Sequence, residues 1–335
     1  MKKKKVGIPY ALYFYEYYPL WKEFLTRLGI EVVLSKPTNK NILDSGIRSS
    51  LSEICLPVKV FYGHVLSLAD QVDYILIPRM VCIEKGAFFC PKIIGLPDMV
   101  KSSLTSLCPI ISPVVDIRKP YGTWKNVLLQ AGQLLTENSL EVSRAFSTSW
   151  DNFQKNYVAH LLDPKILKPG PSKQHQDGGA GTKQLGETPI NIAVIGHDYL
   201  IEDSFINLNL IEKLKKMKVN VLTPGMVHPN MVKKQLKKLY KPIFWSLSRR
   251  AVGAALYYFE NGVEGIIHLT SFECGEDSMV GESIHHQSQK YPEVSYTEFV
   301  FDEHTGEAGI NTRIEAFLDM IRRKKRIENS LAPSW

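Results

Sequence analysis

The pattern that most constrains the fold is a strand–helix–strand unit at the start of the chain. Residues 4–9 predict a short buried strand that leads into a turn around Pro9, and apolar side chains then recur at helical spacing from Leu20 to Leu28. This spacing predicts a helix with one buried face, ended by Gly29 in a left-handed conformation. Residues 30–34 predict a second strand. Because such a crossover joins parallel strands, the unit predicts an α/β fold.

The same plan recurs after residue 188. The segment I-N-I-A-V-I-G-H at residues 190–197 predicts a strand, Phe205–Met217 a helix and Val219–Leu222 the next strand. We therefore predict two Rossmann-like, doubly wound domains with mainly parallel sheets, joined by helices and a flexible linker. The predicted domains are residues 1–140 and 189–326.

Residues 141–188 are predicted to connect these domains. A helical pattern continues to about His160, and residues 163–188 then offer few side chains to bury. Such a composition cannot offset the entropy lost on ordering, so it predicts a mobile linker. The segment G-G-A-G-T-K within it lacks both the spacing of a phosphate-binding loop and a preceding apolar strand. We therefore predict no nucleotide site there.

Charge and apolar runs limit the function classes. Lys2–Lys5 and Arg322–Arg326 carry nine positive charges, so the net charge of +7 leaves −2 on the rest of the chain. A nucleic-acid groove needs basic and aromatic residues interleaved on a folded surface, so we expect no nucleic-acid partner. No apolar run reaches the roughly 18 residues of a membrane-spanning helix. Five cysteines without a recognisable export signal predict a cytoplasmic location, where thiols stay free.

Three of the cysteines stand at the borders of predicted regular structure. Cys55 lies two residues before Pro57, which can start a helix, and Cys90 lies in a loop marked by glycine and proline. Cys274 follows the strand-like segment G-I-I-H-L-T. Ligands bind at the carboxyl ends of strands in open α/β sheets, so we predict that the three thiols share one site. The alternative is three small buried hydrophobes, since the C-x-x-C spacing of readable metal sites is absent.

Several segments around these cysteines resemble one family. They are V-G-I-P-Y-A-L, E-I-C-L-P-V-K-V-F-Y-G-H, C-P-K-I-I-G-L-P-D, F-E-C-G-E-D-S and E-H-T-G-E-A-G-I-N-T-R-I-E-A-F. In this order they resemble the activase-associated iron–sulfur family related to 2-hydroxyacyl-CoA dehydratases, over nearly the whole chain except the middle. The resemblance implies an iron–sulfur cluster, of the [4Fe-4S] type, on Cys55, Cys90 and Cys274, and an ATP-dependent activase as electron donor. The family pattern has proline after the Cys-Gly pair, where this chain has Glu276.

The sequence leaves open which metal binds and whether a fourth residue is a ligand. A [4Fe-4S] cluster normally takes four thiolates, so either one iron stays open or Cys82 supplies the fourth thiolate. Cys82 is flanked by apolar residues and also suits packing, and Cys108 suits a structural role. Zinc is the competing metal, with His64 as a further ligand. Zinc ligands usually come in close pairs, however, and the three thiols are 35 and 184 residues apart.

Charged residues beside the cysteines have two interpretations. In one interpretation the acids donate protons once the site is reduced. For Glu276 and Asp277 the alternative is a role as helix caps, and for these two we consider it the better account. The basic side chains either offset the negative charge of a cluster or are solvated charges at the surface. The acids are Glu53, Glu273, Glu276 and Asp277, and the bases are Lys59, Arg79 and Lys92.

The expected function is that of an iron–sulfur protein of the 2-hydroxyacyl-CoA dehydratase type, which receives electrons from an activase for dehydration or reduction of a small substrate. Because no nucleotide-binding motif is found, the partner would use the ATP. The alternative is a non-catalytic electron-transfer or assembly module of an activase system. The run of aromatic residues from Tyr13 to Tyr18 predicts an exposed interface, and hence a homodimer or a pair of similar subunits.

Overall fold

The computed structural model describes residues 3–161 and 190–331, which form an α/β architecture in two halves. The strands of the N-terminal half are β1 (Lys5–Ile8), β2 (Glu31–Leu34), β3 (Tyr74–Leu76), β4 (Arg79–Cys82), β5 (Ile110–Ile111) and β6 (Val114–Asp116). Its helices are α1 (Phe14–Arg27), α2 (Lys40–Ser49), α3 (Leu56–Leu68), α4 (Pro91–Ile94), α5 (Leu96–Ser103), α6 (Trp124–Gln133) and α7 (Ser139–Leu161). The linker predicted at residues 163–188, with its G-G-A-G-T-K segment, lies outside the described residues.

The C-terminal half repeats the alternation of strands and helices. Its strands are β7 (Ile190–Ile195), β8 (Val219–Leu222), β9 (Gly265–Ser271) and β10 (Ser295–Phe301). Its helices are α8 (Asp198–Ile201), α9 (Leu210–Lys216), α10 (Pro229–Leu236), α11 (Ser246–Glu260), α12 (Gly275–Ser288) and α13 (Glu307–Leu331), with a 3₁₀ turn at Pro224–Met226. Among the described residues, no helix is long and apolar enough to cross a membrane.

The main sheets of the two halves have the same parallel topology. Their strand orders are β2-β1-β3-β5 and β8-β7-β9-β10, and a separate two-stranded parallel sheet pairs β4 with β6. The predicted α/β class with parallel sheets in two halves is confirmed. In each main sheet the chain reverses its direction of winding between the first and third strands, and in such sheets ligands bind at the carboxyl ends of these two strands.

The aromatic run at Tyr13–Tyr18 is the start of α1 and is not an exposed patch. Phe14 and Tyr17 are buried, and Tyr13, Tyr15 and Tyr18 are only half exposed. The Tyr13 hydroxyl donates a hydrogen bond to the carbonyl oxygen of Pro78 at 3.0 Å. Two of the five rings therefore face the protein's own core, and the other three are partly accessible, so the run forms no fully exposed aromatic surface. The aromatic run therefore gives the predicted dimer no further support, and the dimer stays a prediction.

One hydrophobic core joins the two halves. It contains Phe61 and Val65 of α3 together with Leu269 of β9, and both Cys55 and Cys274 belong to it. A buried lysine also crosses the boundary, since Lys59 Nζ lies 2.6 Å from a carboxylate oxygen of Glu303. Lys59 thus brings α3 of the first half against the residues that follow β9 and β10 in the second, since it also lies 3.7 Å from the Glu273 carboxylate.

Candidate metal centre

Cys55, Cys90 and Cys274 each occupy the N-cap position of a helix. They precede α3, α4 and α12 respectively. Proline follows in the first turn after Cys55 and Cys90, where its missing N–H costs nothing and its fixed φ suits the helix. The thiols thus lie where sequence placed them, directly before regular structure.

A single lysine connects the three cysteine segments. Lys92 lies two residues after Cys90, and its Nζ donates hydrogen bonds of 3.1 Å to the carbonyl oxygens of Glu53 and Glu273. Glu53 is two residues before Cys55, and Glu273 directly precedes Cys274. The three loops therefore meet at the boundary between the halves.

The thiols influence one another electrostatically. The pKa of Cys55 is raised to about 12, mainly by burial, with Cys274 and Cys90 acting in the same direction and Lys92 opposing them. Burial also raises the pKa of Cys90 to about 11, with contributions from Glu276 and Cys274 in the same direction. The Cys55 and Cys90 thiols therefore keep their protons at neutral pH in the metal-free protein. All three sulfur atoms lie close enough to sense each other's charge.

The most compact set of ligand atoms among the described residues is a different one. His197, Cys274 and Asp277 are buried, and their ligand atoms all lie within 4.8 Å of one another. Cys55, Cys90 and Cys274 do not form so compact a group among residues 3–161 and 190–331. Ligands of one ion need such closeness, whereas the thiolates of a four-iron cluster bind separate irons and stand further apart.

His197 and Asp277 form a buried ion pair behind Cys274. His197 follows β7, Asp277 lies in the first turn of α12, and Nε2 and Oδ1 are 2.8 Å apart. Burial alone would lower the pKa of His197, but the adjacent Asp277 carboxylate outweighs it and raises that pKa well above its usual range. His197 in turn holds the pKa of Asp277 below its ordinary value against the effect of burial. Both groups are therefore charged.

The acids after Cys274 turn their carboxylates away from their own helix. Glu276 accepts a hydrogen bond from the Ser248 hydroxyl, and Asp277 Oδ2 accepts one from the Ser271 N–H at 3.1 Å. Both acids lie in the first turn of α12, where the helix dipole favours negative charge as the capping interpretation expects, and both also bind groups outside that helix. Burial raises the pKa of Glu276, which lies 4.0 Å from His197 Nε2. A buried acid thus occupies the position where the resembling family has proline.

The other cysteines and His64 have partners of their own. Cys82 Sγ donates to the Glu84 carbonyl oxygen at 3.0 Å, and Asp116 and Arg118 are its charged neighbours. Burial raises the pKa of Cys108, and the carboxylates of Asp73 and Asp70 act in the same direction. These surroundings favour packing over metal ligation for both thiols.

His64 is not placed for metal ligation, because hydroxyl groups occupy both of its ring nitrogens. Nδ1 lies 2.8 Å from Ser35 Oγ, and Nε2 lies 3.0 Å from Thr38 Oγ1. Arg79 likewise binds elsewhere, to Asp98 at 2.7 Å. The zinc set proposed from sequence, with His64 as fourth ligand, is therefore not supported by these contacts.

Sequence reasoning missed His197 and Tyr199. Burial raises the pKa of Tyr199 well above its usual range, and Asp277, Cys274 and Cys55 add to the effect, so this ring lies beside thiols of both halves. The missed signal was the segment H-D-Y at residues 197–199, at the end of the predicted strand. In parallel sheets that position lies at the ligand-binding edge.

A cavity of about 520 Å³ lies between the two halves near this centre. Tyr15 and Glu16 of α1 line one side, and Thr223 and Arg250 line the other. A narrower cavity of about 160 Å³ adjoins it and shares Glu16 and Arg250. Burial raises the pKa of Glu16, and Arg250 opposes that effect.

Comparison with solved structures gives distant likenesses. A two-component system response regulator/GGDEF domain protein matches at 12% identity and a TM-score of 0.21, over 96% of this chain and 100% of that chain. The glycosyltransferase SnogD from Streptomyces nogalater matches at 12% identity and a TM-score of 0.21, over 89% of this chain and 87% of that chain. Scores this low carry no argument about fold or function. No curated protein matches the chain.

A family model matches residues 5–227, which is more than half of the chain. Its description is "CoA enzyme activase uncharacterised domain". The matched residues include Cys55 and Cys90 with their helices and end before Cys274. The chain belongs to the CoA enzyme activase uncharacterised domain (DUF2229) family.

Proposed function

We propose that this chain is an iron–sulfur protein of the 2-hydroxyacyl-CoA dehydratase type, which receives electrons from an ATP-dependent activase for dehydration or reduction of a small substrate. The observation that carries the proposal is the meeting of the Cys55 and Cys90 loops with the Cys274 loop at Lys92. The family description, which names CoA enzyme activases, supports the partner. All five cysteines are free thiols, which fits a reducing cytoplasm.

The donor set fits thiolate ligation of such a cluster. Each thiol stands at a helix N-terminus, where the helix dipole and unpaired N–H groups favour negative charge. Lys92 adds a positive charge that lowers the pKa of Cys55. Metal binding displaces thiol protons, so the raised pKa values of Cys55 and Cys90 make ligation pH-dependent without preventing it. A [4Fe-4S] cluster bound by three thiolates would supply one-electron chemistry and an accessible iron.

The cavity between the halves is the proposed site for the small substrate. Its volume of about 520 Å³ lies within the roughly 300–1,000 Å³ typical of small-molecule sites. Arg250, held by Asp198 at 2.7 Å, presents a guanidinium to this space. Glu16 presents a carboxyl with a raised pKa, which suits a group that gives or takes a proton.

Metal analysis of protein purified without oxygen tests the proposal. We expect brown protein with about four irons per chain. Colourless protein without iron would contradict it. Turnover of a substrate with a candidate activase, ATP and a reductant distinguishes the enzyme from the alternative, a non-catalytic electron-transfer or assembly module, in which the metal centre is reduced without product.

One observation favours a second candidate, a zinc site. His197, Cys274 and Asp277 offer the nitrogen, sulfur and oxygen ligands that zinc accepts, within the spacing of a single ion. This candidate predicts one zinc per chain, lost in a His197→Gln variant and retained in a Cys55→Ala variant. The iron–sulfur proposal predicts that Cys55→Ala loses the metal.

A further inference from the structure

The residue before Cys274 has an unusual backbone conformation. Glu273 has φ of +62°, in the left-handed region that side chains other than glycine avoid. It lies between the end of β9 and the start of α12, so its φ sets the direction in which the chain enters that helix. The position of the Cys274 thiol, at the N-cap of α12, depends directly on this one dihedral angle.

Two lysines from the other half of the protein hold Glu273. Lys92 Nζ donates to the Glu273 carbonyl oxygen at 3.1 Å, and the Glu273 carboxylate lies 3.7 Å from Lys59 Nζ. Lys59 is buried and also pairs with Glu303 at 2.6 Å, so it keeps an acidic partner without Glu273. The contact of Lys92 is with the backbone itself. It therefore acts directly on the strained peptide unit.

Lys92 also fixes the N-terminal partners of Cys274. The same ammonium group donates to the Glu53 carbonyl oxygen at 3.1 Å, and its own helix begins after Cys90. A lysine ammonium has three donors, and two are used here to join backbone segments that are distant in sequence. A strained conformation persists where the surrounding structure over-determines it.

We propose that Lys92 is a positioning residue, which holds Glu273 in its left-handed conformation and so presents Cys274 to Cys55 and Cys90. The inference rests on the proposed function for what the three thiols bind. The positioning itself exists in the metal-free protein and is measurable there.

The first test removes the clamp. In metal-free Lys92→Met protein, alkylation of Cys274 by iodoacetamide, followed by mass spectrometry of peptides, should be at least tenfold faster than in the wild type. Cys82 and Cys108 are internal controls, and their rates should not change. Lys101→Met, at an exposed position on α5, is the matched control and should match the wild type at every cysteine. Unchanged Cys274 reactivity in Lys92→Met would overturn the proposal.

The second test isolates the backbone and does not depend on how Lys92→Met folds. Glu273→Gly and Glu273→Val both remove the carboxylate, but only glycine adopts a positive φ without steric cost. In Glu273→Gly the alkylation of Cys274 should stay as slow as in the wild type, and the iron content after anaerobic reconstitution should be near that of the wild type. Glu273→Val should expose Cys274 and lose most iron. Equal behaviour of these two variants would overturn the proposal.

A double variant connects the two tests. Lys92→Met with Glu273→Gly should retain more iron than Lys92→Met alone, because glycine tolerates the left-handed conformation without the clamp. Lower or equal retention would count against the mechanism. If wild-type protein takes up no iron while Lys92→Met still exposes Cys274, the proposed function fails and the positioning role stands.

Discussion

His197 and Asp277 form an ion pair inside the protein, with Nε2 and Oδ1 2.8 Å apart and both side chains almost fully buried. The pair joins the loop after β7 to the first turn of α12, across the strand pair where the sheet reverses its winding. Asp277 also accepts the Ser271 N–H at the end of β9. Asp277 therefore ties the start of α12, next to Cys274, to the carboxyl ends of both β7 and β9.

Breaking this pair should destabilise the fold strongly. Removal of one partner leaves an uncompensated buried charge, so Asp277→Ala should lower the free energy of unfolding by about 3–5 kcal/mol. The exposed pair Lys215–Glu212, at the similar distance of 2.7 Å, is the control, and Glu212→Ala should cost less than about 1 kcal/mol. Urea unfolding at pH 7 measures both. Similar losses in the two variants would contradict the assigned role.

The three N-cap cysteines should act as one unit in iron binding. Replacement of Cys55, Cys90 or Cys274 by alanine should each remove most of the iron, since two thiolates seldom retain a cluster. Cys82→Ala and Cys108→Ala should leave the iron content nearly unchanged and cost only packing stability. Iron analysis after anaerobic reconstitution gives the comparison. Loss of iron in Cys82→Ala equal to that in Cys55→Ala would indicate a closed four-thiolate site and favour simple electron transfer.

His64 should make stability fall at acid pH. Burial lowers its pKa from 6.5 to about 4, so between these values the unfolded chain binds a proton that the folded protein does not. Stability contributed by the neutral imidazole is present above pH 6.5 and is lost as the pH falls. His268, also lowered to about 4 by burial, acts in the same window. Between pH 7 and pH 5 the free energy of unfolding should fall by about 2 kcal/mol more in the wild type than in His64→Gln. Parallel curves would refute the assignment.

Close packing of α2 on α3 should depend on glycine. A Cβ at Gly63 would lie 1.9 Å from the Ile42 carbonyl oxygen, and backbone cannot move aside as a side chain can. Gly63→Ala should therefore lower the free energy of unfolding by at least about 1–3 kcal/mol. Because Cys55 is the N-cap residue of α3, the iron content should fall as well. Gly309→Ala, where a Cβ meets nothing within 4 Å, is the control and should be neutral or slightly stabilising. Equal stability of the two variants would show that α3 can shift freely.

Most of the elements were readable from sequence because their signals are local. The predicted strand Val219–Leu222 coincides with β8, and the helix start expected at Pro57 lies one residue after the first residue of α3, Leu56. The helix predicted at Phe205–Met217 begins only at Leu210. There the Asp203 carboxylate accepts the N–H groups of Phe205 and Ile206, and Leu208 and Asn209 adopt left-handed φ values. Apolar spacing does not report such a side-chain competition for the backbone.

The sequence by itself determined the alternating α/β plan and the placement of Cys55 and Cys90 before helices, since periodicity and proline act within a few residues. Only the tertiary structure decided which groups meet. Lys92 reaches Glu273 across 181 residues, and the carboxylates of Glu276 and Asp277, in the first turn of their helix, find Ser248 and His197 as partners. These contacts arise where the apolar faces of the two halves pack together. Burial there makes every charged group require a partner, and the pattern along the chain does not specify which partner it finds.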